Sequence, residues 1–139
     1  MSVDVFLDTN VLLYAASGSA AEAAKRAAAR KIMWSERFGI STQVLQEFFV
    51  NAVRKAHIKM SPVDARAWMS GLDNTPCLIV DRDLIRLSVA KSIRFKIGYF
   101  DAAILAAAEA LGAPIVLSED LNDGQIYGAV RVVNPFKGL

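Results

Sequence analysis

The chain has one cysteine, Cys77, and one histidine, His57, among its 139 residues. A lone cysteine closes no internal disulfide, and the two residues are too few for a Cys/His zinc centre. Any site with several metal ligands must therefore be built from oxygen donors. The same scarcity leaves no convincing Ser/His/Asp or Cys/His set for nucleophilic catalysis. An excess of one charge is also missing: the formal balance is +2, too little to advertise nucleic-acid binding by itself. No apolar run reaches the ~18 residues of a membrane span. Asp4 and Asp8 interrupt the first apolar stretch, which is wrong for a secretory signal. These absences predict a soluble, cytoplasmic protein with no membrane partner.

What the chain does have is apolar substance. Hydrophobic residues make up 54% of it. Its length suits a single domain, residues 1–139, that buries roughly two-thirds of its extended surface. Strand-length apolar runs at Val3–Leu7, Phe38–Ser41, Cys77–Val80, Ile115–Leu117 and Val130–Val133 alternate with helical patterns. The helices are expected at about Val11–Ala16, Ala20–Glu36, Thr42–His57, Pro62–Gly71, Arg82–Arg94 and Ala102–Leu111. Ser61, Pro62 and Asp64 combine a capping serine, a first-position proline and a first-turn acid. Gly112 and Pro114 close the alanine-rich helix that Asp101 opens. Such alternation predicts an α/β fold with a parallel sheet covered by helices on both faces.

Four acids stand out against this background. Asp8 ends the strand of Val5, Phe6 and Leu7, at the edge where open α/β sheets bind ligands. Glu47 sits among Val44, Leu45, Phe48, Phe49 and Val53, where an ionised carboxylate without a partner is costly. Asp101 opens a slim, rigid helix, and Asp120 follows the strand Ile115–Leu117. Each has a bland explanation. Asp8 and Asp101 would serve as helix caps or dipole partners, and Asp120 as a turn residue before Gly124. Glu47 would pair with a lysine or arginine, or face solvent between Gln43 and Asn51. Gathered in one pocket, however, four carboxylates repel one another unless a hard divalent cation neutralises them. That grouping points to metal-assisted phosphoryl chemistry. Thr9 and Asn10 add small polar groups beside Asp8, and Ser118 shares a strand side with Asp120 and can steady it. Asp123 is a weaker candidate in the same stretch, which leaves two residues in contention for the fourth acid.

Cationic residues cluster at Lys25, Arg26, Arg30 and Lys31, at Arg54, Lys55, His57 and Lys59, and at Lys91, Arg94 and Lys96. Groups of this kind are ordinarily solvated faces. The third, just upstream of Asp101, is the best candidate for a phosphate-contacting rim. Ile32, Met33, Trp34 and Trp68 are candidates for a dimer face, with core packing as their more ordinary use.

The order Asp8-Thr9-Asn10, Glu47, Tyr99-Phe100-Asp101-Ala102 and Ser118-Glu119-Asp120 resembles the PIN-domain ribonucleases, in particular the small VapC-type toxins of bacterial and archaeal toxin–antitoxin pairs. The resemblance covers essentially the whole chain. It implies a PIN-like three-layer sandwich around about five parallel strands, and an endonuclease acting on RNA. It assigns Asp8, Glu47, Asp101 and Asp120 to the binding of Mg²⁺ or Mn²⁺, with Asn10 and Ser118 as hydrogen-bonding support. It also implies a homodimer and a cognate antitoxin that inserts a peptide, with a basic residue, into the acidic groove. The nucleophile would be metal-activated water, with Lys91, Arg94 and Lys96 contacting the RNA.

Two other readings compete. A haloacid-dehalogenase-like phosphatase also carries Asp after its first strand, but its second Asp is replaced here by Asn10, and no lysine motif follows a later strand. A PIN-like module that binds RNA or protein without cutting has no need of a repulsive cluster of four acids.

Overall fold

The computed structural model describes residues 3–55 and 57–139. The unbroken apolar run Val5–Leu7 forms strand β1, and all three residues are buried. A strand buried on both faces belongs inside a parallel sheet. β1 lies between β2 (Phe38–Ser41) and β4 (Ile115–Leu117), parallel to both. β3 (Cys77–Leu78) extends the sheet beyond β2, and β6 (Val130–Val133) extends it beyond β4. A short β5 (Ile126–Tyr127) closes that edge as the antiparallel partner of β6. The order is β3-β2-β1-β4-β6-β5. The chain steps from β1 through β2 to β3, then returns to place β4 on the other side of β1. The carboxyl ends of β1 and β4 therefore flank a topological switch point, where such sheets open a crevice.

Six α-helices accompany the sheet among the described residues, completing a three-layer α/β sandwich: α1 (Thr9–Ala16), α2 (Ala23–Ser35), α3 (Thr42–Arg54), α4 (Pro62–Ser70), α5 (Arg82–Phe95) and α6 (Tyr99–Ala110). α1 packs on α2 and α3, α3 on α4, and α5 on α6. α6 is the most enclosed, with every residue from Ala102 to Ala108 buried between α5 and the sheet. A helix apolar all round is a buried helix, and alanine lets its backbone lie close to both neighbours. Gly112, at φ +75°, ends it, and the N–H of Ala113 closes on the carbonyl of Ala108 at 2.9 Å. At the start of α4 the expected signature is present: Ser61 accepts the Asp64 N–H at 3.0 Å, with Pro62 in the first turn.

Differences from the sequence reading lie at boundaries. β1 begins at Val5 rather than Val3, and β3 pairs only over Cys77–Leu78. The expected helix Ala20–Glu36 divides into a 3₁₀ turn, Ala20–Glu22, and α2, with the Ser17 hydroxyl donating to Glu22 at the break. α3 ends at Arg54 rather than His57, because Lys55 turns to extended backbone and Lys59 takes φ 39°. Ala56, within that expected helix, lies outside the described residues. α1 starts two residues earlier than expected and α6 three, so Asp101 sits inside the first turn of α6. β5 is an addition to the expected five parallel strands. Gly128, at φ +63°, allows the two-residue turn that folds it onto β6. Ile32, Met33 and Trp68 pack against the core, whereas Trp34 is 92% exposed. No helix of the described residues is long and apolar enough to cross a membrane.

Candidate active site

Asp8 passes from β1 into α1 in the crevice beside β4. Its N–H donates to the Leu117 carbonyl at 3.1 Å, carrying the β1–β4 ladder one residue further. One carboxylate oxygen accepts the Thr9 N–H at 2.7 Å and so caps α1. The other accepts the hydroxyl of Ser118 at 2.7 Å. Ser118 is the first residue after β4 and is fully buried. Its Oγ also accepts the Asp120 N–H at 3.1 Å and the Asn10 amide at 3.3 Å. Asn10 donates in addition to Asp120 at 3.1 Å, while its own oxygen accepts the Glu119 N–H at 3.2 Å. The first turn of α1 is thereby stitched to the segment leaving β4.

Glu47 reaches the same place from α3. One of its oxygens accepts the Thr9 hydroxyl at 2.8 Å, and the other lies 3.4 Å from the donating amide of Gln43. Gln43 also donates to the Phe100 carbonyl at 3.2 Å, which ties α3 to the start of α6. Asp101 is exposed, and no side chain caps α6. Asp8, Glu47, Asp101 and Asp120 all line one pocket of about 170 Å³, together with Thr9 and Asn10. The fold collects the four acids that sequence order singled out.

Their electrostatics follow from this crowding. Burial pushes the Asp8 carboxyl up from 3.8 to about 6. The hydrogen bonds from Ser118 and Thr9 oppose that rise, while the charges of Asp120 and Glu47 add to it. Asp101 is also raised, first by burial and then by Asp120 and Glu47. Among the described residues, the ion pairs lie elsewhere and none includes any of the four. Neutralisation by a dedicated lysine or arginine is thus removed as an explanation. Capping accounts for one oxygen of Asp8; Asp101 makes no cap bond, although its place in the first turn of α6 lets it pair with the helix dipole.

No three His, Cys, Asp or Glu side chains among the described residues are placed to hold one metal ion as they stand. The donor set nevertheless fits a hard divalent cation: it is all oxygen, anionic and, among the described residues, outside every ion pair. Mg²⁺ commonly takes only one or two carboxylates and completes its octahedron with water and phosphate.

Two groups of residues singled out in the sequence lie outside this pocket. Asp123 does not join the pocket; the Asn134 N–H at 2.8 Å and the Lys137 ammonium at 3.2 Å hold its carboxyl below the usual range. Asp120 is therefore the fourth acid of the pocket. Lys91, Arg94 and Lys96 do not line it either. Lys91 is paired with Glu109, Arg94 lies over the Phe95 ring at 4.8 Å, and Lys96 terminates α5 in the left-handed conformation. The cation that lines the pocket is Lys55. Its signal was present in the sequence, since Gln43, Glu47, Asn51 and Lys55 recur every four residues along one stripe of α3.

No curated protein matches the chain significantly in sequence. Solved structures match it in fold. A chain of a toxin–antitoxin complex from Klebsiella pneumoniae is 24% identical, with a TM-score of 0.69, covering 96% of this chain and 98% of that one. VapC20 of Mycobacterium tuberculosis, described as a sarcin–ricin loop cleaving toxin, is 19% identical, with a TM-score of 0.66, covering 84% and 92%. A chain of DNA-bound VapBC from Salmonella typhimurium is 18% identical, with a TM-score of 0.63, covering 94% and 96%. The sequence pattern of the PIN domain matches residues 5–126. That match runs from β1 to the opening of β5 and takes in all four acids, so the chain belongs to the PIN-domain family.

Proposed function

We propose that this protein is a Mg²⁺- or Mn²⁺-dependent endoribonuclease and the toxin of a toxin–antitoxin pair. The observation that carries the proposal is the acidic pocket, where four carboxylates lie together with no ion pair among the described residues. A divalent cation bound there supplies Lewis-acid charge and acidified water for attack on an RNA phosphodiester. Asp8 is the best-fixed of its ligands, held by Ser118 and by the α1 backbone. Thr9 and Gln43 orient Glu47, and Asn10 orients Asp120, which would hold a second ion or a water. Asp101 completes the acidic set from the first turn of α6. The kinship in fold to chains from toxin–antitoxin complexes supports a cognate antitoxin. A basic side chain of such an antitoxin suits the charge of the pocket.

The test is an end-labelled RNA incubated with the protein and Mn²⁺. Cleavage that disappears with EDTA and in Asp8→Asn is the expected result. Intact RNA overturns the proposal; in that event hydrolysis of a phosphomonoester selects a phosphatase, and RNA binding alone selects a module that does not cut.

A further inference from the structure

We propose that Lys55 and Phe100 are the substrate-positioning walls of this pocket, Lys55 holding a phosphate next to the one cut and Phe100 stacking against a neighbouring base. The inference rests on the nuclease reading above and assigns the side chains that hold its substrate.

Lys55 ends the polar stripe of α3 and lines the acidic pocket. It also lines an adjoining pocket of about 210 Å³, bounded by Tyr14, His57 and, in common with the first, Asn10, Leu13 and Asp120. It therefore stands where the two hollows meet. Among the described residues its ammonium enters no ion pair, unlike those of Lys25, Lys91 and Lys137. His57, in the second hollow, is 3.7 Å from Glu22. A polyanion approaching four carboxylates is repelled, and among the described residues Lys55 is the one positive side chain lining the pocket to offset that repulsion.

Phe100 forms the wall contributed by α6. Although it lines a polar pocket, its side chain is 66% exposed. Its position is held twice: the carbonyl by Gln43 at 3.2 Å, and the ring by an edge-on contact with Tyr99 at 5.2 Å and 78°. The fold thus anchors the backbone that carries this ring and leaves the aromatic surface uncovered. Aromatic stacking beside a cationic track is the general means of holding a single strand.

Binding is read by the anisotropy of an end-labelled single-stranded RNA with Ca²⁺ in place of Mn²⁺, and cleavage is read separately with Mn²⁺. Lys55→Ala and Phe100→Ala should each weaken binding about tenfold and raise KM similarly, with a much smaller change in kcat. Lys55→Ala should also flatten the slope of log affinity against log salt by about 0.7, the signature of one lost phosphate contact on a single strand. Lys55→Arg and Phe100→Trp should restore affinity, and Phe100→Leu should not. The thermal midpoint should stay put, because both side chains are exposed. Unchanged affinity in both alanine variants, or Phe100→Leu binding as well as Phe100→Trp, overturns the inference. Cleavage by wild type with affinity untouched by either substitution sinks the pair and spares the nuclease reading. Affinity that falls as described, without any cleavage by wild type, does the reverse.

Discussion

The clearest consequence at the scale of a single residue belongs to Asp8. Burial pushes its native carboxyl up from the ordinary 3.8 to about 6, so the native state holds this proton more tightly than the unfolded chain. The associated stability is complete below about pH 4 and is lost as pH rises through about 6. The loss is on the order of 3 kcal/mol at neutral pH. Denaturant unfolding in EDTA should show wild type weakening across that interval and Asp8→Asn holding level. Parallel profiles for the two proteins would show that crowding at Asp8 does not strain the fold. Asparagine keeps an acceptor for the Thr9 N–H and a group able to pair with Ser118, so the comparison isolates charge. Much of the site was legible in the sequence, because a carboxylate at a strand end or on an apolar helix face demands a partner. Asp8, Glu47, Asp101 and Asp120 stood out on those grounds. Lys55 and Phe100 did not: Lys55 continues the four-residue spacing of Gln43, Glu47 and Asn51, but that it and Phe100 face one pocket depends on how α3 and α6 meet. Asp123, the weaker candidate, lies apart because its partners, Asn134 and Lys137, lie beyond a turn that sequence spacing does not describe.

Among the elements, α6 carries the most consequence for the site. Ala107 is fully buried where α6 passes between α5 and the sheet. Ala107→Leu should lower stability by about 1–3 kcal/mol through overpacking, and it should also impair cleavage by shifting Asp101. Ala110→Leu, at an exposed position of the same helix, is the control and should change neither. Denaturation midpoints and cleavage rates for the two variants check this; equal behaviour would mean that α6 has room to spare. The alanine run announced this helix, and Gly112 announced its end. Its beginning was harder to see, since Gly98 supplies an N-cap without any side-chain bond. β5 escaped notice because two residues show no period, and only pairing with β6 makes them a strand.

Across the whole molecule, strand order is what assembles the site. Alternating periods indicate a parallel sheet covered by helices, but they do not reveal that β4 returns beside β1. That return brings Ser118 onto Asp8, residues 110 positions apart, and sets Asp120 in the same pocket. It also gathers acids locally in a chain whose overall charge is +2, so net charge conceals the feature that matters most. Calorimetric titration of Mn²⁺ into metal-free protein tests the central claim most directly. Wild type should take up the ion, Asp8→Asn should lose that uptake, and Asp101→Asn should bind more weakly. Folded wild type that takes up no Mn²⁺, or Asp8→Asn that takes it up equally well, would contradict the account.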